Sequence, residues 1–493
     1  MIFIEHFNES FVRINTDIAT LKTIAGRFSF RVQGFQFMAK YKAGIWDGFI
    51  RPINTLNGLC PKGLVPKVID YCKENDYEVK LDKMAFSRFK ETINFDHKEY
   101  KLPFEPYDYQ IAAVERALSK KRQVILSSTG SGKSIIQALL MFELLKVTQK
   151  KILMIVPNIS LVTQLYQDFK DYTVHMDFNV EDNVHMIMGG KEKNANKKVY
   201  LSTWQSLDAI KDKSYFEQFE AVIADECHQY KATALSKIME NCINAFYRIG
   251  VSGTLEDTQT AETALIGHFG PIHRVSSSAD LIERDILAKL EVNLLLLKYS
   301  EQIANKTKHF DYVAEMDYLV TLKERNEFIT KLSYKLKGNT LILVQYIDKH
   351  GKVLEKLCNE YSQDKQVYFV YGGTEADDRN NVRKIAESHD NVIIIASYQV
   401  FSTGVNIKNL PNIIFGSPTK SKIRLLQSIG RGLRKHDKKD MCRVYDLADD
   451  LRGKRKKANY TLKHCLDRLQ IYTNEGFVVN EKKINFKVAG DIC

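Results

Sequence analysis

The chain has 493 residues, of which 44% are hydrophobic and 27% charged, and it carries a net charge of +12. That length exceeds what one hydrophobic core supports, and the composition is that of a soluble globular protein of several domains, not a fibrous or disordered one. No run approaches the roughly 18 apolar residues of a membrane span, and the eight cysteines form no C-x-x-C pair, which speaks against a zinc ribbon or a disulfide framework. The start, Met1–His6, has no basic segment followed by a long apolar run, so a cytoplasmic protein without a secretory signal is expected.

Residues 1–95 are expected to form a small α+β N-terminal domain. Met1–Phe7, Phe28–Gln33 and Tyr77–Leu81 are strand-like, and Val65–Asn75 is helix-like. Lys40, Lys42, Trp46 and Arg51 surround a Gly-rich turn, a basic and aromatic cluster suited to gripping DNA because bases stack on such rings. Trp46 buried in a small core is the competing reading.

Across residues 96–290, short β-rich apolar runs alternate with helical stretches, the pattern of a parallel sheet covered by helices. The strand Val124–Leu126 runs into Ser127-Ser128-Thr129-Gly130-Ser131-Gly132-Lys133-Ser134 and then a helix. A Gly-rich turn opening a helix aims backbone N–H groups at one point and cradles phosphate. Thr129, Gly130, Ser131 and Gly132 form the cradle, Lys133 reaches the β- and γ-phosphates, and Ser134 ligates Mg²⁺. Ser127 stands where this pattern normally opens with Gly or Ala. Upstream, Gln110 is a candidate reader of adenine, with Tyr109 stacking nearby.

Ala221–Ala224, expected beside the phosphate loop, ends in Asp225-Glu226-Cys227-His228. Carboxylates at the C-terminal end of a parallel strand face the ligand crevice. Asp225 is the candidate Mg²⁺ partner and Glu226 the base for the attacking water. His228 is a candidate nucleotide contact that couples the nucleotide state to the other lobe, and the turn Ser252-Gly253-Thr254 is a candidate for linking hydrolysis to the nucleic-acid face.

Residues 291–325 are expected to link two lobes, and residues 326–450 to form a second α/β lobe. Gln427, Arg431 and Arg434, spaced by four and three, are expected on one helix face. An arginine offered by a second lobe neutralises charge developing on a γ-phosphate, and Arg434 is the main candidate with Arg431 its phosphate-binding neighbour. Gly404 and Asn406 are further nucleotide contacts. Candidates for phosphate-backbone contact lie at strand-to-helix junctions: Pro157, Asn158, Thr163, Gln164, Gly190, Thr203, Trp204 and Gln205 in the first lobe, and Gln345, Gly372, Gly373, Arg379 and Ser397 in the second. Residues 451–493 are expected to be a basic, partly helical tail opened by Arg452–Lys457. From Lys420 onward there are 19 Lys/Arg against 9 Asp/Glu, an excess of 10, the charge footprint of a polyanion-binding surface.

Over residues 105–450 these motifs, in this order, resemble superfamily 2 helicases. Tyr41–Gly48, Ala396–Gly404 and Lys420–Ile423 make the chain similar to the phage UvsW-type helicases in particular. The resemblance implies two tandem RecA-like parallel-sheet lobes behind the N-terminal domain and a 3′→5′ polarity. It implies ATP and Mg²⁺ as cofactors, and forks, Holliday junctions and R-loops as substrates in recombination and replication restart. The implied partners are branched DNA, single-stranded DNA, DNA–RNA hybrids and single-strand-binding or recombination proteins, met by a monomeric or weakly self-associating motor. Asn406 replaces an acidic residue common in the superfamily, and the arginine that often precedes the adenine-reading Gln is missing from Tyr107–Tyr109. Three alternatives stay open: a DEAD-box-like RNA helicase, against which Asp-Glu-Cys-His speaks; a translocase subunit of a restriction system; and an ATP-gated DNA-binding module without turnover.

Overall fold

The computed structural model describes residues 1–32, 34–85, 95–188, 192–230, 232–255, 259–361, 364–403 and 407–488. The chain divides into two units, one of Met1–Ser127 with Gly132–Val275 and one of Ser128–Ser131 with Ser276–Cys493.

The first unit opens with β1 (Ile2–His6), β2 (Phe11–Asn15), the short pair β3 (Phe30–Arg31) and β4 (Phe49–Ile50), then β5 (Leu59–Pro61) and β6 (Val79–Leu81). The main sheet here runs β5-β2-β1-β6, antiparallel except for the parallel β1–β6 pair. Val65, Val68, Ile69 and Cys72 recur at helical spacing on helix Val65–Glu74 and are buried with Ile2, Ile4, Val12 and Ile14.

That small core continues into the following α/β sheet through Ile266. Gly63 is required at this joint, since a methyl group there would lie 1.9 Å from the Ile266 carbonyl oxygen. Polar pins complete it. The buried Arg248 donates to Ser10 Oγ and to the Cys242 carbonyl, each at 2.7 Å, and Glu9 accepts from Lys62 at 2.9 Å and Arg122 at 2.8 Å.

The α/β part of the first unit holds β7 (Arg122–Ser127), β8 (Lys151–Val156), β9 (Val184–Ile187), β10 (Val199–Thr203), β11 (Phe219–Asp225), β12 (Tyr247–Ser252) and β13 (Ile272–Ser276). They are ordered β13-β7-β12-β11-β8-β10-β9, and the six strands from β7 to β9 pair in parallel. Helices cover both faces, which explains the near-continuous apolar runs such as Ile152–Val156, all buried. β12 lies between β7 and β11. In a crossover-connected sheet a later strand can insert between earlier ones, and here Ser252 pairs with Leu126 while Val251 pairs with Asp225.

The second unit carries β14 (Lys289–Lys298), β15 (Thr340–Val344), β16 (Gln366–Val370), β17 (Val392–Ser397), β18 (Asn412–Phe415), β19 (Met441–Asp450) and β20 (Val478–Asn485). The order is β16-β17-β15-β18-β19-β14-β20, parallel throughout. The α/β reading with two RecA-like parallel-sheet lobes behind a small α+β domain is correct.

Two expectations at the edges of this sheet are corrected. Residues 291–325 are not a linker: β14 pairs with β19 and β20 over its whole length, and helices Glu301–Thr307 and Tyr312–Thr321 follow. Residues 451–493 carry the expected helix, Tyr460–Asn474, but are not a tail, since β20 pairs with β14 and closes the sheet. Asp446, fully buried, accepts from Arg468 at 2.7 and 2.8 Å and from Tyr472 at 2.7 Å, tying that helix to β19. Glu315 accepts from the Tyr460 and Thr461 amides at the helix start, where a carboxylate also meets the positive end of the helix dipole. Arg452 pairs with Asp450, and Arg455 donates to the Ala304 and Leu451 carbonyls. Lys454, Lys456 and Lys457 remain exposed. Among the described residues no helix is long and apolar enough to cross a membrane.

Candidate nucleotide site and nucleic-acid interface

β7 delivers the chain to the phosphate loop and helix Lys133–Val147 carries it away. Gly130 and Gly132 sit at φ +90° and +77°, a region that L side chains rarely adopt. At Gly132 space is also closed, because a methyl group there would lie 2.5 Å from Gln110 Nε2. Gln110 is therefore beside the loop. Its Oε1 accepts from the Tyr107 amide at 2.9 Å, capping helix Asp108–Lys120. Tyr109 is buried and stacked on Tyr107, with centroids 5.6 Å apart and planes 10° from parallel.

Lys133 Nζ lies 3.1 Å from Glu226 Oε1. Glu226 Oε2 accepts from the Gly253 amide at 3.2 Å and lies 3.5 Å from His228 Nδ1. That nitrogen is 2.6 Å from Ser252 Oγ, and Ser252 donates onward to the Thr254 carbonyl, so His228 Nδ1–H is the donor to Ser252. Burial holds the His228 imidazole below its ordinary pKa, and its Nε2 is buried with no hydrogen-bond partner among the described residues. A continuous polar chain thus runs from Lys133 through Glu226 and His228 to the Ser252-Gly253-Thr254 turn.

The two carboxylates differ. Burial, and then the neighbouring Glu226 charge, push the Asp225 carboxyl up to about 7. Burial pushes Glu226 up as well, but Lys133 and then His228 outweigh it and hold Glu226 below the ordinary carboxylate range. Asp225 Oδ1 accepts from Gln137 Nε2 at 2.9 Å, and Ser134 Oγ is 2.7 Å from Tyr172 Oη. Gln137 was not foreseen, although it stands four residues after Lys133, on the same helix face. Tyr172, at the end of helix Ile159–Tyr172, and Tyr230, whose hydroxyl donates to the Ile155 carbonyl at 2.8 Å and to that of Asp225, carry no motif signal.

In the second unit, Gln427 and Arg431 lie on helix Lys422–Gly432, with Gln427 buried and Arg431 5.5 Å from the Phe401 ring centroid. Arg434 falls two residues beyond the helix, so the three do not share one helical face. The turn forms because buried Lys439 donates to the Gly432 carbonyl at 2.7 Å and to that of Lys408 at 2.6 Å, stopping the helix there. Ser128–Ser131 cluster with this unit: a methyl group on Gly430 would meet Thr129 Cβ at 2.4 Å, and one on Gly130 would lie 3.9 Å from Arg434 Cγ.

The first-unit backbone-contact candidates converge. Asn158 caps helix Ile159–Tyr172 by accepting from the Leu161 amide at 3.0 Å, and Thr203 caps Trp204–Asp208. β8 and β10 are paired neighbours, and Gln205 Nε2 donates to the Pro157 carbonyl at 3.2 Å. Two helix N-termini therefore open at one sheet end, with Thr163 and Gln164 exposed on the first and Trp204 half-buried on the second. In the second unit Gln345 follows β15, Gly372 and Gly373 follow β16, and Ser397 ends β17, three adjacent strands. Gly372 and Gly373 are exposed, Ser397 is buried, and Arg379 is tied to the Thr374 carbonyl at 2.9 Å. Gly190, Gly404 and Asn406 lie outside the described residues. Lys42 is exposed on the short helix Ala39–Lys42, Trp46 is half-buried with its Nε1 donating to the Phe49 carbonyl at 2.7 Å, and Arg51 pairs with Asp47 at 3.1 Å.

Family models match three stretches: residues 2–82 as the N-terminal domain of DNA helicase UvsW, 103–257 as the res subunit of type III restriction enzymes, and 324–436 as the helicase conserved C-terminal domain. The chain is 34% identical to the ATP-dependent DNA helicase uvsW of Enterobacteria phage T4, over 97% of this chain and 99% of that one. The chain belongs to the UvsW family of superfamily 2 ATP-dependent DNA helicases. The crystal structure of T4 UvsW matches with TM-score 0.50 and 31% identity, covering 99% of this chain and 100% of that one. A DNA 3′-5′ translocase, XPB2 of Sulfurisphaera tokodaii, is 26% identical over 75% of this chain and 85% of its own.

Proposed function

We propose that this helicase hydrolyses ATP at the phosphate loop and uses the cycle to unwind or branch-migrate forks, Holliday junctions and R-loops in phage recombination and replication restart. The observation that carries the reading is the polar chain from Lys133 through Glu226 and His228 to Ser252, which joins the loop to a turn on the neighbouring strand. Lys133 binds the β- and γ-phosphates, Glu226 polarises and deprotonates the attacking water, and Arg434 with Arg431 neutralises charge developing on the transferred phosphoryl group. Gln427 orients the arginines, and Gln110 and Tyr109 receive the adenine.

The Ser134 hydroxyl and Asp225 carboxylate are hard oxygen donors of the kind Mg²⁺ takes when phosphate and water complete its shell. A buried Asp225 whose charge burial disfavours fits a cation placed beside it, and Mg²⁺ there would offset phosphate charge.

In this reading residues 1–95 grip DNA, 96–290 bind ATP and 326–450 supply the arginines. The capped helix ends at Asn158 and Thr203 hold the phosphate backbone of one strand, moving 3′→5′ as the family resemblance implies. The 103–257 match to restriction subunits concerns the ATPase core alone, whereas the match at 2–82 and the full-length likeness favour the branched-DNA motor. Its location would be the host cytoplasm and its partners single-stranded and branched DNA, DNA–RNA hybrids and recombination proteins. Multi-turnover hydrolysis tests the site: it should vanish in Lys133→Ala, and its survival would overturn the assignment.

A further inference from the structure

Two hydrogen-bonded pairs in the first unit join residues of the nucleotide motifs to residues outside them. Gln137 Nε2 donates to Asp225 Oδ1 at 2.9 Å, and Ser134 Oγ lies 2.7 Å from Tyr172 Oη. In each pair one member is an oxygen donor of the kind Mg²⁺ takes, and the other belongs to no nucleotide motif.

Gln137 is a polar residue in an apolar setting. On helix Lys133–Val147 it stands between the buried Ile135-Ile136 and Ala138-Leu139-Leu140, and is itself only 2% exposed. A leucine or methionine would fill that volume without desolvation cost, whereas a buried amide is costly unless it is hydrogen-bonded. The Asp225 carboxylate meets that need, and the amide in turn fixes how the carboxylate is rotated at the end of β11. Gln137 comes three residues after Ser134 and four after Lys133, so one helical turn aligns the hydroxyl, the amine and the amide.

Tyr172 arrives from a different element, as the last residue of helix Ile159–Tyr172. Phe104 packs edge-on against its ring, with centroids 5.5 Å apart and planes at 80°, which limits where the hydroxyl can swing. A serine hydroxyl has one proton and two lone pairs. When it gives a lone pair to a cation, its proton needs an acceptor elsewhere, and Tyr172 Oη is at hydrogen-bond distance to take it.

We propose that Gln137 and Tyr172 are positioning residues for the metal: Gln137 orients the Asp225 carboxylate and Tyr172 accepts the Ser134 proton, so that both oxygens are presented to one Mg²⁺. The inference rests on the reading of Ser134 and Asp225 as Mg²⁺ partners. Residues that orient the ligands of a metal typically contribute about 10–100-fold to its affinity.

The test follows binding of a fluorescent, non-hydrolysable ATP analogue to the full chain in EDTA and across a Mg²⁺ titration, which reads metal-free affinity and Mg²⁺ requirement separately. Tyr172→Phe removes one oxygen and keeps the ring against Phe104. Gln137→Met keeps the volume and removes the amide. Gln137→Asn withdraws the amide by one methylene and serves where the methionine variant folds poorly. Each variant should raise the Mg²⁺ concentration for half-maximal tightening about 10–100-fold, with affinity in EDTA unchanged. Asp225→Asn should remove the Mg²⁺ effect altogether. A Mg²⁺ requirement unchanged in the Gln137 and Tyr172 variants but lost in Asp225→Asn would overturn the positioning roles alone, as would an equal loss of affinity in EDTA. A Mg²⁺ effect intact in Asp225→Asn would overturn the metal reading beneath them.

Discussion

Lys133 Nζ and Glu226 Oε1 are 3.1 Å apart, so the residue expected to hold the γ-phosphate is paired with the residue expected to activate water. While Lys133 stays there it holds the Glu226 pKa down, which makes the carboxylate a weak base. Drawing Lys133 onto phosphate oxygens would raise the basicity of Glu226 at the moment a substrate is present.

Glu226→Gln should keep nucleotide binding and lose turnover. General-base catalysis contributes about 10²–10⁴ in rate, so steady-state hydrolysis should fall in that range. Equilibrium binding of a fluorescent ATP analogue, measured on the same preparation, should stay within a few-fold.

Ser252→Ala interrupts the chain at the hydroxyl that receives His228 Nδ1–H. ATP hydrolysis should persist while base pairs opened per ATP decline. A parallel drop in both activities would assign Ser252 to the hydrolytic step instead.

Asp446→Asn leaves the buried Arg468 guanidinium without its counter-charge. Breaking one side of a buried pair costs about 3–5 kcal/mol, and urea unfolding should register a loss of that size. Arg325 with Asp449 makes a second such pair in the same unit, at 2.9 and 3.0 Å.

His350 is fully buried between Ser417 Oγ at 2.7 Å and Asn326 Oδ1 at 3.1 Å. With the imidazole neutral, Nε2–H donates to Asn326 and Nδ1 accepts from Ser417. Burial, then the Arg325 charge, lower its pKa to about 3, from an ordinary 6.5. Because the folded pKa is the lower one, the unfolded chain binds more protons between these values, and stability falls as pH drops through that window. Each pH unit well inside it costs about 1.4 kcal/mol per group. His268, lowered to about 3 by burial and then by Arg248, adds a second such group. Near pH 5, proton uptake on unfolding should be smaller by about one in His350→Gln.

The nucleotide motifs were legible because their chemistry is local: Gly130, Gly132, Lys133 and Ser134 form one turn, and Asp225-Glu226 ends one apolar strand. What stayed hidden depends on long-range placement. Nothing in Leu290–Leu297 says that its neighbours are β19 and β20, and nothing near Tyr247–Ser252 says that it inserts between β7 and β11. The pins that hold the N-terminal domain to the first α/β sheet join residues 113 and 238 positions apart, Glu9 with Arg122 and Ser10 with Arg248. Helix periodicity put Arg434 on the face of Gln427, but buried Lys439 ends that helix at Gly432. Gln137 was within reach of the same periodicity, one turn after Lys133.

Strand separation by the full chain, with ATP, across a four-way DNA junction, a forked DNA, a DNA–RNA hybrid loop and a plain RNA duplex tests the branched-DNA motor most directly. Unwinding of the branched DNA and the hybrid loop should be faster, and Lys133→Ala should abolish it. Activity confined to the RNA duplex would contradict the branched-DNA motor.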